Sequence, residues 1–174
     1  MVHACFDPIF HVRHCKRRRV VEPATLPDNA VLYRSDGAAR GQGHNGEIRS
    51  GAGAVFYGTG SDVEAWKCVH LDGASNNVAE YVGALLVLHR IARVVHERSV
   101  LQMDSMLVTN QLCGRWRIVA PDLVPYFREA STLINRIRAQ GARVDFEHIY
   151  REFNKDADSK ANLGADGTHA QHMW

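Results

Sequence analysis

The sequence predicts an α/β domain built on a five-stranded mixed sheet, with three antiparallel strands first and helices on both faces. Two observations lead to this fold class. Three short segments rich in β-favouring residues come first, separated by glycine-containing turns, which indicates an antiparallel meander. Helical and strand-like segments then follow, and this mixture is typical of a sheet covered by helices. With 174 residues, 45% of them hydrophobic, the chain is long and apolar enough for one domain with a core.

Each predicted element rests on a local pattern. The meander occupies residues 30–36, 51–57 and 65–71. Residues 77–97 form the strongest helix, because one stripe is apolar (Tyr81, Leu85, Leu88, Ala92 and Val95) while the face containing Arg90 is polar and expected in water. The remaining elements are a strand at 99–104, a short helix at 105–113, a long helix at 122–140, an alternating strand at 143–150 and a final helix at 154–164.

The sequence pattern divides the chain into three parts. Residues 1–28 are predicted to be a basic, disordered leader, residues 29–166 the folded domain, and residues 167–174 a flexible tail. The chain has 21 basic and 19 acidic residues, a formal charge of +2. The first twenty residues carry five of the basic side chains and one of the acids. The rest therefore has 16 basic and 18 acidic residues, a charge of about −2. The leader's basic run is compatible with a nuclear signal, a phosphate-binding arm or a solvated tail, and the sequence leaves these open.

Several classes of protein are excluded. No apolar run approaches the length of a bilayer span, so we expect no membrane partner. The four cysteines include no C-x-x-C pair, and Asp7 and Pro8 interrupt any signal-peptide core, which together predict an intracellular protein of undetermined compartment. The four Cys and His residues of the leader (Cys5, His11, His14 and Cys15) fit no common zinc spacing.

A glycine pattern at residues 41–46 matches the G-x-G-x-x-G dinucleotide fingerprint literally. That fingerprint requires a helix to begin directly after the glycines, so that its N-terminus can hold a pyrophosphate. The residues that follow, 51–56, are strand-like instead. The pattern therefore predicts a long turn between the first two strands rather than a nucleotide site.

Four acids stand at the ends or starts of predicted elements: Asp36, Glu80, Asp104 and Asp158. Three have a structural alternative. Asp36 before Gly37 is typical of a turn, Glu80 has capping-box spacing from Asn77, and Asp158 suits the positive end of a helix. Asp104 is harder to dismiss, because an acid at the end of a buried strand needs a partner or a function.

Taken together, the four acids indicate a shared metal site more strongly than any one of them does alone. If the first and fourth strands are neighbours, Asp36 and Asp104 meet at one end of the sheet, where the starts of two helices can bring Glu80 and Asp158. Clustered carboxylates repel one another and raise their pKa values, and divalent cations relieve that repulsion. Mg²⁺ takes carboxylate oxygens, and two such ions about 4 Å apart can activate a water in phosphodiester cleavage.

Four segments in order resemble type 1 ribonuclease H. They are residues 35–41 (SDGAARG), 75–81 (SNNVAEY), 102–105 (QMDS) and 151–158 (REFNKDAD). The resemblance covers about residues 30–165 and implies the ribonuclease H-like fold. It implies an endonuclease that hydrolyses the RNA strand of RNA–DNA hybrids with two Mg²⁺ ions, or Mn²⁺ as a substitute, leaving 3′-hydroxyl and 5′-phosphate ends. Asp36, Glu80, Asp104 and Asp158 would be the catalytic, metal-binding carboxylates.

The resemblance also implies residues that contact the hybrid. Asn76 and Asn77 would lie in the minor groove, where an amide can read a 2′-hydroxyl beside base edges. Arg40 and Ser105 would lie near the site as phosphate or hybrid contacts. Trp116, between Arg115 and Arg117, either stacks on a DNA sugar or anchors its loop. Further phosphate contacts are expected from Arg90, Arg93 and the leader, and we expect a monomer.

Two departures from the family pattern stand out. The loop at residues 42–50 is longer than the compact turn of many members, which leaves groove contacts there open. Many members have a mobile histidine before the last aspartate; His148 has a suitable distance but sits on a predicted strand, which favours a structural role behind the carboxylates over a proton shuttle. The alternatives are a non-catalytic nucleic-acid-binding module of this fold and a ribonuclease H domain derived from a retroelement.

Overall fold

The computed structural model describes residues 26, 27, 29–41 and 48–174. Most of the predicted leader and most of the glycine pattern at 41–46 lie outside these residues. The elements are, in order, β1 (Ala30–Arg40), β2 (Arg49–Gly58), β3 (Ala65–Asp72), α1 (Asn76–Arg93), β4 (Arg98–Met103), α2 (Met106–Leu112), α3 (Val124–Ala139), β5 (Arg143–His148), α4 (Lys155–Ala165) and β6 (Ala170–His172). Single 3₁₀ turns at Pro121–Leu123 and Arg151–Phe153 precede α3 and α4.

The sheet is mixed and has the order β5-β4-β1-β2-β3-β6. The antiparallel pairing of β1, β2 and β3 confirms the predicted meander. β4 runs parallel to β1, and β5 runs parallel to β4, as crossover connections through helices allow. The predicted neighbourhood of the first and fourth strands is therefore present.

The five-strand count was wrong, because residues assigned to a flexible tail form β6. This strand of three residues pairs antiparallel with β3, placing His172 opposite Trp66. Beyond it, the ring of Trp174 lies 5.0 Å from the guanidinium of Arg90 on α1. A segment this short has no periodicity of its own, so only its pairing with β3 reveals it.

Helices cover both faces of the sheet, as predicted. On one face, α1 and α3 pack over a large core that includes Tyr33, Phe56 and Leu88. On the other, α4 packs against β1, β2 and β3, and Ala157 contacts a smaller cluster around Leu32. Adjacent residues of a strand point to opposite faces, which is why Leu32 and Tyr33 belong to different clusters.

Two predictions about α1 need correction. The helix ends at Arg93, so Val95 lies beyond the apolar stripe and is 48% exposed. Arg90 does not extend into water: its guanidinium lies between the rings of Phe56, at 4.9 Å, and Trp174. The C-terminal segment covers this arginine, which the helical pattern alone places on the polar face. Among the helices that the structure describes, none combines the length and apolar character needed to cross a membrane.

Candidate active site

Asp36 and Asp104 are brought together by the parallel pairing of β1 with β4. The register pairs Ser35 with Met103, so the two acids occupy the next position on each chain. β4 ends there, whereas β1 continues to Arg40. The predicted strand end at Asp36 was therefore wrong: the acid lies inside a strand whose neighbour on one side has stopped. The turn explanation for Asp36 and Gly37 falls with it.

Glu80 comes from α1, and two glycines allow this helix to approach β1. A methyl group at position 37 would lie 2.1 Å from the backbone nitrogen of Glu80, and one at position 83 would lie 2.7 Å from the carbonyl oxygen of Asp36. Only glycine fits such a close approach. The Glu80 carboxylate accepts a hydrogen bond from the backbone N–H of Gly37. The capping-box alternative was wrong, because Ser75 is the N-cap and Asn77 lies within the helix.

The three carboxylates of Asp36, Glu80 and Asp104 form one cluster. Each offers an oxygen within 4.8 Å of the oxygens of the other two. Asp36 and Glu80 are buried, and Asp104 is half-buried. The cluster opens on a cavity of about 310 Å³. The cavity is also lined by polar side chains from β1, α1, α4 and the turn before α4: Arg40, Asn76, Arg151 and Asn162.

Burial and mutual repulsion perturb two of these acids strongly. Burial, then the charges of Glu80 and Asp104, raises the pKa of Asp36 to about 9. Burial and the charge of Asp104 raise the pKa of Glu80 to about 8, although the Gly37 N–H and Arg151 oppose the shift. Buried carboxyls in this state are stable either when they hold protons or when a cation neutralises them.

The donor set fits a hard divalent cation. All three side chains offer oxygen, the ligand that Mg²⁺ and Mn²⁺ sites use, and the cavity leaves room for water ligands. The cluster is thus consistent with divalent metal binding, as the sequence predicted for Asp36, Glu80 and Asp104.

The structure places the fourth acid beside this cluster rather than in it. Asp158 Oδ1 accepts a hydrogen bond from Arg151 Nη2 at 2.7 Å, and Oδ2 accepts one from Asn162 Nδ2 at 2.8 Å. Its charge still contributes to the raised pKa values of Asp36 and Glu80. In this arrangement both carboxylate oxygens of Asp158 are occupied by protein donors.

Asn154 is a site residue that the sequence reasoning missed. It is fully buried ahead of α4, and its amide donates to Asp104 Oδ1 and to the carbonyl oxygen of Ser35, each at 3.0 Å. It therefore connects the start of α4 to both strands that carry the aspartates. Arg151 and Asn162 were missed as well. The only signal for Asn162 was its i+4 spacing from Asp158 on a helix.

The predicted hybrid contacts are divided between the cavity and its surroundings. Asn76 and Arg40 line the cavity; Asn77 is exposed one residue further along α1. Ser105 is the N-cap of α2, where its Oγ accepts from Val108 N, and it does not line the cavity. Trp116 is 48% exposed on the loop after α2 and also lies outside the cavity lining.

His148 lies directly behind the cluster. It is the last residue of β5, and its Nε2 is 3.1 Å from the backbone carbonyl oxygen of Asp104. Its ring packs edge-on against Tyr150, with 6.3 Å between the ring centroids. A hydrogen bond at this distance would hold the backbone of Asp104 in place, so the structural role of His148 stays a prediction.

The chain is similar in sequence to proteins of one family. The profile of the reverse transcriptase-like family matches residues 38–164. The bifunctional protein Rv2228c of Mycobacterium tuberculosis is 33% identical over 136 residues, which are 78% of this chain and 35% of that protein. The uncharacterized protein Mb2253c of Mycobacterium bovis matches equally well. The chain thus spans about a third of the length of the curated relatives that it matches.

Solved structures show the same likeness. The N-terminal RNase H domain of Rv2228c superposes with a TM-score of 0.70 at 32% identity, covering 79% of this chain and 94% of that one. RNase H1 of Halobacterium salinarum gives 0.68 at 28% identity, covering 80% and 99%. LC11-RNase H1, solved with an RNA/DNA hybrid, gives 0.68 at 25% identity, covering 79% and 97%. The resemblance inferred from the four motifs is confirmed, and the chain belongs to the reverse transcriptase-like family, with a ribonuclease H-like fold.

Proposed function

We propose that this protein is an endonuclease that hydrolyses the RNA strand of RNA–DNA hybrids with two divalent metal ions, leaving 3′-hydroxyl and 5′-phosphate ends. The observation that carries the proposal is the convergence of three carboxylates within 4.8 Å on an open, polar cavity. The similarity to RNase H1 structures, one of them solved with an RNA/DNA hybrid, supports the choice of substrate.

In this proposal the four acids are the ligands of the cations. Asp36, Glu80 and Asp104 would bind Mg²⁺ or Mn²⁺, and Asp158 would join them when Arg151 releases its oxygen. Two bound divalent ions would supply an activated water and stabilise the departing 3′-oxygen. Burial of Asp36 and Glu80 excludes water from one side of the cluster, which strengthens their attraction for a cation.

Recognition of the RNA strand would begin at the start of α1. Asn76 lines the cavity beside the carboxylates, and its amide can donate to and accept from a 2′-hydroxyl that DNA lacks. Asn77, exposed on the next position, would contact base edges in the same groove. This placement would restrict cleavage to a strand that carries 2′-hydroxyls.

Phosphate contacts would surround the carboxylates. Arg40 and Arg151 line the cavity. The Arg40 side chain is half exposed and that of Arg151 is largely exposed, so both can exchange their acidic partners for phosphate oxygens. Trp116, flanked by Arg115 and Arg117, would meet the DNA strand further from the reaction. The arginines would hold the phosphate backbone of the hybrid by charge, while contacts to the 2′-hydroxyl would distinguish RNA from DNA.

Cleavage of matched RNA–DNA, RNA–RNA and DNA–DNA duplexes tests the proposal, with Mg²⁺ or Mn²⁺ and with end mapping of products. We expect cleavage of the hybrid's RNA strand only, dependent on metal. The control is Asp104→Asn, which removes one ligand charge at nearly the same volume; we expect cleavage to fall by about 10³-fold or more while hybrid binding stays intact or tightens. Binding without cleavage by the unmodified protein would instead identify a non-catalytic module.

A further inference from the structure

Asn162 on α4 uses all of its polar atoms inside the candidate active site. Its Nδ2 donates to Asp158 Oδ2 at 2.8 Å and to the backbone carbonyl oxygen of Asp158 at 2.9 Å. Its Oδ1 accepts from Arg40 Nη2 at 2.8 Å. The amide therefore forms a bridge between a cavity arginine and the fourth carboxylate.

The two partners of Asp158 differ in how firmly they are held. Arg151 is 79% exposed and comes from a short turn, so water competes for its guanidinium. Asn162 is only partly exposed, lies one helical turn from Asp158 on the same helix, and is also held by its bond to the Asp158 backbone carbonyl. Asn162 is thus the fixed contact of Asp158, and Arg151 is the exchangeable one.

Arg40 is available to sense a substrate phosphate. It stands at the end of β1, and its second partner, Asp166, forms an exposed ion pair in which both side chains are about half accessible. Such a pair contributes little and is readily exchanged for a phosphate. A shift of the Arg40 guanidinium toward phosphate would be transmitted to Asp158 through the amide of Asn162.

We propose that Asn162 is a positioning residue, which orients Asp158 for a divalent cation and couples that orientation to phosphate binding at Arg40. This inference rests on the proposed function for its catalytic consequences. It has a separate consequence for the protein without substrate. Asn162 holds one oxygen of Asp158 so that the other remains directed at Arg151, whose place a cation would take.

The test compares Asn162→Ala and Asn162→Asp with Ser159→Ala, an exposed position on the same helix that serves as the matched control. Mn²⁺ binding to the hybrid-free proteins is measured by isothermal titration calorimetry, and cleavage is measured across an Mg²⁺ titration. Residues that orient metal ligands typically affect affinity or activity by 10- to 100-fold. We expect both Asn162 variants to need about tenfold more metal, with Ser159→Ala unchanged.

Asn162→Asp separates the two functions of the amide. It keeps an oxygen for Arg40 but replaces the donor to Asp158 with a second acid. We expect it to retain the unmodified KM for hybrid while losing the normal metal dependence, whereas Asn162→Ala changes both. Thermal unfolding identifies any Asn162 variant that fails to fold. The other Asn162 variant then carries the test.

A further arm examines the coupling. Arg40→Ala is expected to raise the metal requirement in the unmodified background but not in Asn162→Ala, because the bridge is then already absent. Unchanged Mn²⁺ affinity and Mg²⁺ dependence in folded Asn162 variants would overturn the proposal. If the unmodified protein cleaves no hybrid, the proposed function fails, but calorimetry still decides whether Asn162 positions Asp158.

Discussion

The side-chain amide of Asn154 lies 3.0 Å from Asp104 Oδ1 and fixes the orientation of that carboxylate. The same nitrogen donates to the carbonyl oxygen of Ser35, the residue before Asp36. One buried amide therefore sets the position of a β4 acid relative to the strand that carries its partner.

Replacement of Asn154 by alanine should damage activity more than stability. We expect about a 10- to 100-fold lower kcat, because Asp104 loses its orienting donor. We also expect about 1–3 kcal/mol of destabilisation, because the buried Ser35 carbonyl loses its partner. Steady-state kinetics and urea unfolding measure the two effects. Asn135→Ala, at an exposed position on α3, is the matched control, and an equal loss of activity there would contradict the assignment.

Gly37 is expected to be indispensable for the distance between β1 and α1. An alanine there would place its methyl group 2.1 Å from the Glu80 nitrogen, so the helix must move away from the strand. We expect about 1–3 kcal/mol or more of destabilisation and a weaker metal site. Gly60→Ala is the control, because its nearest atom lies at 3.8 Å, an ordinary contact. Thermal unfolding with and without Mg²⁺ measures both effects.

Stability without metal should fall as the pH rises. The pKa of Asp36 rises from 3.8 in the unfolded chain to about 9 in the folded protein, and the pKa of Glu80 rises from 4.5 to about 8. Between these values the folded state binds more protons than the unfolded state, so rising pH favours unfolding. The stability that the two protonated carboxyls contribute is complete below about pH 4. It falls progressively as the pH rises and is lost once the pH has passed about 8 to 9. Each proton corresponds to about 1.4 kcal/mol per pH unit at most.

Denaturant unfolding of metal-free protein between pH 5 and 9 checks this dependence. Asp36→Asn removes one of the two groups and should flatten the profile by about one proton. Added Mg²⁺ should stabilise more at pH 9 than at pH 6, because its ligands must be deprotonated. A variant whose profile runs parallel to that of the unmodified protein would show that Asp36 does not hold its proton to high pH.

Deletion of residues 1–25 should weaken hybrid binding more than it slows catalysis. The first twenty residues carry five basic side chains, and each phosphate contact contributes close to one unit to the salt dependence of binding. We expect a higher KM, a nearly unchanged kcat and a shallower slope of affinity against salt. Titrations at several NaCl concentrations measure this, and identical slopes for both proteins would exclude a phosphate-binding role for the leader.

The local patterns of the sequence determined the main elements and three of the clustered acids. The period of α1 and the alternation of the strands follow from backbone geometry, which repeats every few residues and is visible in any window of the chain. Asp104 was assigned to the end of a buried strand, where a carboxylate has few structural uses, and β4 ends one residue before it, at Met103. The meander and the mixed sheet followed from the same signals.

The tertiary structure alone decided the contacts around those acids. Asn154 and the Ser35 carbonyl that it binds are 119 residues apart, and Arg40 is 122 residues from Asn162. β6 exists only as a partner of β3, and Arg90 is covered only because Trp174 returns to α1. Pairings of this kind depend on the register of the sheet and the seating of the helices. No local period encodes them, so Asp158 could be identified from its motif, but the contact of Asn154 with Ser35 and that of Asn162 with Arg40 could not.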